Sequence, residues 1–216
     1  MTTPYEADSE TEEHPGSIPP EAVRQTYGVF NTGSRINFRV HNGGSQGPVV
    51  FYINNSVFTP GTPDVQVIRG ADKDGPIVAF GKFHNLSGHV TMGLGSPESD
   101  AVVFEELHKA SRLTHSEYVF ESDQATPHKR RVKYIWRRTI GKGLFANYAC
   151  VDAGSGRLMA YFAKTGAKSA KKVGRLCVTA DTTEEFHLLL LLSWMAIREK
   201  ENRNAWYVGG WISGTS

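Results

Sequence analysis

Apolar and polar residues alternate with a period of two over most of the chain, between Val23 and Asp181. This alternation is typical of strands that bury one face and expose the other. The predicted strands are rich in β-branched and aromatic residues, and clusters of Gly, Pro, Asn, Asp and Ser separate them. We predict eleven strands, over residues 34–41, 48–55, 64–70, 75–83, 88–94, 101–109, 116–122, 131–139, 144–152, 156–165 and 173–181.

The pattern changes near the C-terminus, where ten of the twelve residues from Phe186 to Ile197 are apolar. A helix that is apolar on every side is buried inside a protein, and a membrane-spanning helix needs about 20 such residues. Thr182 and Glu185 have the spacing of a capping box. The sequence therefore predicts a core helix over residues 183–203 and no transmembrane segment. Three basic residues suit the C-terminal end of its dipole: Arg198, Lys200 and Arg203.

An enclosed helix restricts the architecture that the strands can form. A β-sandwich would cover only one side of the helix, whereas a closed barrel covers every side and leaves no free sheet edge. Twelve helical residues span about 18 Å, which is close to the height of a barrel of short strands. We therefore predict a mainly β fold, a closed antiparallel β-barrel of about 11–12 strands around a central hydrophobic C-terminal α-helix.

Four segments of the C-terminal half follow one another in a distinctive order: YIWRR (134–138), GRLMAYFAK (156–164), GRLCVTAD (174–181) and the helix at 182–200. This order resembles the fungal members of the tubby C-terminal-like superfamily, which includes LURP-one-related proteins and phospholipid scramblases. The resemblance covers about residues 130–203. It implies a twelve-stranded antiparallel barrel that encloses a hydrophobic helix. It also implies binding of phosphoinositides through basic surface residues, or association with membranes.

The formal net charge of +2 conceals two regions of opposite sign. Residues 1–21 contain six acidic residues and no Lys or Arg, so residues 22–216 carry a net charge of +8. We predict a disordered acidic tail over 1–22, a tubby-like barrel over 23–203 and an aromatic C-terminal tail over 204–216. The aromatic tail has three possible roles: it packs over the open end of the barrel, inserts at a membrane interface or binds a protein partner.

Basic residues concentrate in two stretches, 128–138 and 164–175. Strand alternation places Arg131, Lys133 and Arg137 on one face, which we expect to point outward, and Tyr134 and Trp136 on the inward face. One interpretation is that these basic residues form an ordinary solvated exterior of the barrel. The other is that they form a binding surface for anionic phospholipid. The predicted lipid-binding residues are Lys129, Arg130, Arg131, Lys133, Arg137, Lys168, Lys171 and Lys172. No nucleic-acid recognition motif is present, so we expect no nucleic-acid partner.

Signatures of enzymes and cofactor sites are missing from the sequence. It contains no phosphate-binding loop, no dinucleotide-binding glycine motif and no nucleophile elbow. We expect no cofactor and no metal, because the spacings of the histidines are ordinary. His187, at the start of the apolar helix, is expected to be a hydrogen-bonded residue at the end of the barrel.

Cys150 and Cys177 are expected to be free core thiols, because no signal peptide precedes them and the compartment is then reducing. The predicted location is cytoplasmic, with peripheral membrane association. The favoured function is that of a non-enzymatic binder of anionic lipid. Two alternatives remain: an enzyme or small-ligand-binding barrel, and a protein-interaction module. A lumen filled by residues 186–197 favours the binder, and an open polar pocket favours the enzyme.

Overall fold

Twelve strands and one long helix make up the described part of the chain. The computed structural model describes residues 20–34, 36–56, 61–84, 88–110, 117–140, 147–164 and 171–212. The strands are β1 Gln25–Asn31, β2 Phe38–Asn42, β3 Val49–Asn55, β4 Val65–Arg69, β5 Ile77–Phe83, β6 Val90–Leu94, β7 Val103–Lys109, β8 Glu117–Ser122, β9 Val132–Ile140, β10 Asn147–Asp152, β11 Leu158–Lys164 and β12 Lys172–Val178. A 3-10 turn at Pro20–Ala22 precedes them, and the helix α1 spans Glu184–Ile212.

The strands form one closed antiparallel barrel in which each strand pairs with its neighbours in sequence. The barrel closes where β1 pairs with both β2 and β12, with Tyr27 opposite Asn42 on one side and opposite Leu176 on the other. The predicted fold class, a mainly β closed barrel with a C-terminal helix, is therefore confirmed.

The closing strand β1 is absent from the eleven predicted strands. Tyr27 and Val29 do point into the core, with exposed fractions of 8% and 0%. Gly28 separates them, and glycine is unfavourable in a strand. A Cβ at Gly28 would lie 2.9 Å from the ring of Phe30 and 3.1 Å from the backbone of Gly44. The turn after β2 approaches Gly28 so closely that a side chain at this position would clash with it. Glycine is therefore required at position 28, although it weakens the strand pattern.

The helix α1 fills the lumen of the barrel. Leu189, Leu190 and Leu192 are each 0% exposed. Trp136 of β9 donates a hydrogen bond from Nε1 to Ser193 Oγ at 2.9 Å. On another side of the helix, Phe162 of β11 stacks on Trp194 with ring centroids 3.7 Å apart. Each fully buried Leu or Phe side chain contributes roughly 1.5–3 kcal/mol, so the helix and the inward faces of the strands stabilise each other.

The two ends of α1 differ from the prediction. Thr183 caps the start, since its Oγ1 accepts a hydrogen bond from the Phe186 N–H at 3.2 Å. The cap is therefore one residue later than the predicted Thr182. The helix also continues past residue 203 to Ile212. Residues 204–212 contain no proline, and the Gly209–Gly210 pair lowers helix propensity without blocking it.

Antiparallel strands give the barrel two distinct ends. We call the end where α1 begins the proximal end; it holds the first residues of the odd-numbered strands and the last residues of the even-numbered strands. The distal end, where α1 leaves the lumen, holds the opposite strand ends. Cys150 and Cys177 lie in β10 and β12 and are free and buried, as predicted.

Candidate functional site: the charged distal end of the barrel

The predicted cationic residues of β9 have the expected orientation. Tyr134 and Trp136 are 1% and 0% exposed and face the lumen, while Arg131, Lys133 and Arg137 are exposed on the outside. The alternation of strand side chains is sufficient to produce this arrangement. The basic surface and the aromatic core of β9 are therefore two faces of the same strand.

Carboxylates of β7 and β8 form ion pairs with two of these cations. Arg131 donates to the Glu105 carboxylate at 2.7 Å and also lies 3.5 Å from Glu121. Arg137 pairs with Glu117 at 3.1 Å. The Glu105 side chain is only 1% exposed, so the Arg131 guanidinium satisfies a buried charge. Burial raises the pKa of Glu105, and the hydrogen bond from Arg131 opposes that shift. Arg131 thus has a structural role, and much of the positive charge of β9 is balanced.

The other predicted lipid-binding residues fall at both ends of the barrel. Lys129 and Arg130 are exposed at the proximal end, and Lys129 donates a hydrogen bond to the Gln124 side chain. Lys171 is exposed and Lys172 half-buried at the start of β12, which is at the distal end. Lys168 lies outside the described residues. The structure therefore does not gather the predicted residues into one patch.

A ring of charged residues that the sequence pattern did not predict lies at the distal end, around the turns of α1 that leave the lumen. Its carboxylates are paired with arginines. Glu201 accepts from Arg138 at 2.5 Å and from the Tyr148 hydroxyl. Arg203 contacts Asp64 at 2.6 Å and Glu199 at 2.9 Å. Burial raises the pKa of Glu201, while its bonds to Tyr148 and Arg138 oppose the shift.

Two cations of the same ring have no carboxylate partner among the described residues. The Arg198 guanidinium lies over the ring of Phe38, 4.5 Å from its centroid. Lys200 donates a hydrogen bond to the Gly88 carbonyl oxygen. Burial lowers the pKa of Arg198, and burial together with the charge of Lys109 lowers the pKa of Lys200 to about 8. Among the described residues, Arg198 and Lys200 are therefore partly buried cations that form no salt bridge, although the charge of Glu199 opposes the effect of burial on the pKa of Arg198.

The cations of this ring that lie on α1 are visible in the sequence, but their spacing predicts a different role for them. Arg198, Lys200 and Arg203 were expected to complement the C-terminal dipole of a helix that ends at 203. Since α1 ends at Ile212, these residues lie in its interior, and its last turn contains no basic residue. The change from a fully apolar stretch to charged side chains instead shows where α1 leaves the lumen and passes the rim of the barrel.

Three histidines lie near one another within the described ranges, and His187 lies apart from them. His89 and His108 stack edge to face on the outer surface with ring centroids 4.3 Å apart, and His84 Nε2 lies 2.8 Å from Thr91 Oγ1. In the described part of the chain, no group of three His, Cys, Asp or Glu residues is arranged to hold a metal ion. His187 Nδ1 lies 3.1 Å from the Tyr27 hydroxyl, which confirms its predicted role as a hydrogen-bonded residue at the end of the barrel.

A shallow pocket of about 330 Å³ opens on the outer surface at the proximal end. It lies beside β1, β12 and the turn after β2, and no carboxylate lines it. Its lining residues are Val23, Arg24, Gln25, Thr26, Asn42, Gly43, Gly44 and Arg175.

Along the described segments, no helix is both long and apolar enough to cross a membrane.

Comparisons with known proteins give one structural likeness. No protein-family model matches the sequence, and no curated protein matches it. The fold is similar to that of a protein from Arabidopsis thaliana whose X-ray structure is known, with 13% sequence identity and a TM-score of 0.49. The likeness covers 86% of this chain and 97% of the plant protein. At this identity it carries no functional argument, and membership of the tubby-like superfamily stays a prediction.

Proposed function

We propose that the protein is a peripheral binder of anionic phospholipid, phosphoinositides included, and not an enzyme that works inside its barrel. The observation that carries this proposal is the filled lumen. Residues Leu188 to Ile197 of α1 are buried where a ligand-binding barrel would hold its ligand. Any ligand must then bind at the ends or on the outer surface, where charged groups predominate.

Exposed cations are available for such binding at both ends of the barrel. Lys129, Arg130 and Lys133 lie on the proximal side, and Lys171 is exposed at the distal end. Each Lys or Arg near an anionic membrane contributes about 1 kcal/mol, and the attraction falls off within a Debye length. Several such residues together are sufficient for salt-sensitive, reversible binding.

Membership of the fungal branch of the tubby C-terminal-like superfamily is part of the same proposal, as is a cytoplasmic location. The order of segments over residues 130–203 supports it, and a closed barrel around a C-terminal helix is the fold that this resemblance implies. Function does not follow from fold, so the lipid-binding proposal needs its own test.

Liposome flotation of the full chain tests the proposal and locates the surface. Two double variants change the net charge equally at opposite ends: Lys129→Glu with Arg130→Glu, and Lys171→Glu with Lys172→Glu. We expect the wild-type chain to float with vesicles that contain anionic lipid at low salt, and not with neutral vesicles. If a defined surface binds the lipid, attachment depends on the local charge of that surface and not on the net charge of the protein. We therefore expect one variant to lose most of this binding and the other to keep it.

Each double variant is the matched control for the other. Equal partial losses would mean that net charge alone matters, which contradicts a defined surface. Failure of the wild-type chain to float with any anionic vesicle at low salt would overturn the proposed function. Raising the salt concentration should release the bound protein, since these exposed charges are screened.

A further inference from the structure

Arg198 lies at the distal mouth and forms no salt bridge with any residue that the structure describes. Its guanidinium lies over Phe38, which is 1% exposed and forms an apolar floor. Within the described ranges, no residue accepts a hydrogen bond from this guanidinium or forms a salt bridge with it. The adjacent Glu199 is directed to Arg203 at 2.9 Å. The nitrogens of Arg198 are not among the buried side-chain atoms without a partner, so at the rim its N–H donors are open to an anion.

Lys164 brings a second positive charge to the same place. It is the last residue of β11, and strand alternation places it on the same face as Phe162, which stacks on Trp194 of α1. Lys164 follows Phe162 by two residues in β11, and Arg198 follows Trp194 by about one helical turn, so both lie on the distal side of the stacked rings. Burial and the charge of Arg198 both lower the pKa of Lys164. The fold thus brings two cationic side chains to the distal side of the stacked rings of Phe162 and Trp194.

We propose that Arg198 and Lys164 form a binding site for a phosphate monoester. A guanidinium presents its N–H donors in a planar fork that matches phosphate oxygens, and a lysine adds a compact point charge. A phosphate monoester carries a charge of about −1.5 to −2 at neutral pH, which matches two cations better than the single charge of a phosphodiester. The monoester has two possible sources: a soluble phosphate ester, or the headgroup of a lipid such as phosphatidic acid. Only the second source rests on the proposed lipid function.

Thermal unfolding with glycerol 3-phosphate tests the site without a membrane. A ligand that binds the folded state raises Tm as its concentration increases. We expect Tm of the wild-type chain to rise with glycerol 3-phosphate relative to potassium chloride at equal ionic strength. The Arg198→Met variant, which keeps an apolar stem over Phe38, should show little or no rise. Its apparent Kd should be weaker by about tenfold or more, the usual effect of losing charge-assisted hydrogen bonds.

Arg69 provides a matched control for this substitution. It also lies over an aromatic ring, with its guanidinium 5.6 Å from the Phe51 centroid, but it pairs with Glu184 at 2.5 Å and lies at the proximal end. Arg69→Met should therefore keep the full response to glycerol 3-phosphate. Arg198→Lys keeps the charge and loses the fork, so an intermediate response is expected. This variant also serves as the test if Arg198→Met does not fold.

Flotation with two vesicle types distinguishes the sources of the phosphate. Phosphatidic acid presents a monoester, and phosphatidylglycerol presents a diester; their proportions are adjusted to equal surface charge. If the source is a lipid, the wild-type chain prefers phosphatidic acid, and Arg198→Met removes that preference while leaving the residual charge-driven binding.

The outcomes separate this site from the proposed function. An equal rise in Tm for the wild-type chain and both Arg198 variants would overturn the site. So would a wild-type chain that neither responds to glycerol 3-phosphate nor prefers phosphatidic acid, even if it still floats with phosphatidylglycerol and the lipid-binding proposal stands. A response to glycerol 3-phosphate without binding to any vesicle would support the site with a soluble ligand and overturn lipid binding.

Discussion

Arginine residues of this protein serve different purposes that residue type alone does not reveal. Arg131 neutralises Glu105, whose side chain is 1% exposed. Arg138 neutralises Glu201, which is 5% exposed, at the distal mouth. Removing one member of a buried pair leaves an uncompensated charge and costs several kcal/mol. These arginines are therefore part of the folding of the barrel. Arg198, which has no carboxylate partner in the part of the chain that the structure describes, is the better candidate for binding.

Lys200 makes the stability of the protein depend on pH. Its pKa is lowered from 10.5 to about 8 by burial and by Lys109. As pH falls from 10.5 towards 8, the unfolded chain takes up a proton that the folded chain does not, and the folded state loses stability. Below about 8 that loss is complete and constant. Lys200→Met abolishes it, so we expect the variant to be more stable than the wild-type chain at pH 7 by about 1–2 kcal/mol, allowing for partial solvation.

Urea unfolding at pH 7 and pH 10 measures this effect. The stability difference between the variant and the wild-type chain should shrink at pH 10. There Lys200 is neutral in the folded state, and removing the proton from the unfolded chain costs little so close to the unfolded pKa of 10.5. Lys73→Met, at an exposed position in the loop before β5, should give the same small difference at both pH values. A difference for Lys200→Met that does not change with pH would contradict the assigned cause.

At the scale of secondary-structure elements, α1 and the strands are held together by hydrophobic burial and also by close packing of an aromatic side chain against the backbone of a neighbouring strand. Phe162 lies between Trp194 of the helix and the backbone of Gly174 in β12. A Cβ on Gly174 would lie 2.3 Å from the ring of Phe162 and 2.4 Å from the Ala163 carbonyl oxygen. The backbone oxygen cannot move away without disrupting the pairing of β11 with β12, in which Lys164 lies opposite Gly174. Glycine is therefore required where the aromatic stack meets the sheet.

Gly174→Ala should accordingly destabilise the barrel by about 1–3 kcal/mol, the typical cost of overpacking. The control is Gly33→Ala, because a Cβ at Gly33 would have no atom within 4 Å. That substitution should be neutral or slightly stabilising, since alanine reduces the freedom of the unfolded chain. Chemical denaturation of both variants gives the comparison. Equal stability of the two would show that Phe162 and β11 can move aside at no cost.

For the whole molecule, the net charge of +2 results from opposite charges on two parts of the chain. The six carboxylates of residues 1–21 precede β1, which begins at the proximal end, and the remainder carries a net charge of +8. A segment of 21 residues can extend to about 70 Å, which is enough to reach cations at either end of the barrel. We infer that the acidic residues compete with anionic surfaces for these cations.

A chain that lacks residues 1–21 should bind anionic vesicles more tightly than the full chain at low salt. The advantage should diminish near physiological ionic strength, where the Debye length is about 8 Å. A tail with its six acidic residues changed to Gln or Asn controls for length and should behave like the truncated chain. Flotation titrations provide the measurement. Identical affinities of all three chains at low salt would rule out competition by the tail.

The sequence by itself determined the fold class, because hydrophobic period is a local property. Alternation identified eleven strands, and the apolar run from Phe186 to Ile197 required an enclosure that only a closed barrel provides. Local pattern failed at β1, where Gly28 weakens the strand pattern within Gln25–Asn31, and at the end of α1, which no proline marks.

Only the tertiary structure decided which charges are matched. The cations of 129–138 look alike in sequence, yet Arg131 satisfies Glu105 across the sheet and Lys133 remains exposed. Arg198 and Lys164 are distant in the chain and reach the same end of the barrel only because β11 ends where α1 leaves the lumen. Electrostatic partners are set by distances across the barrel, and a one-dimensional pattern does not contain those distances.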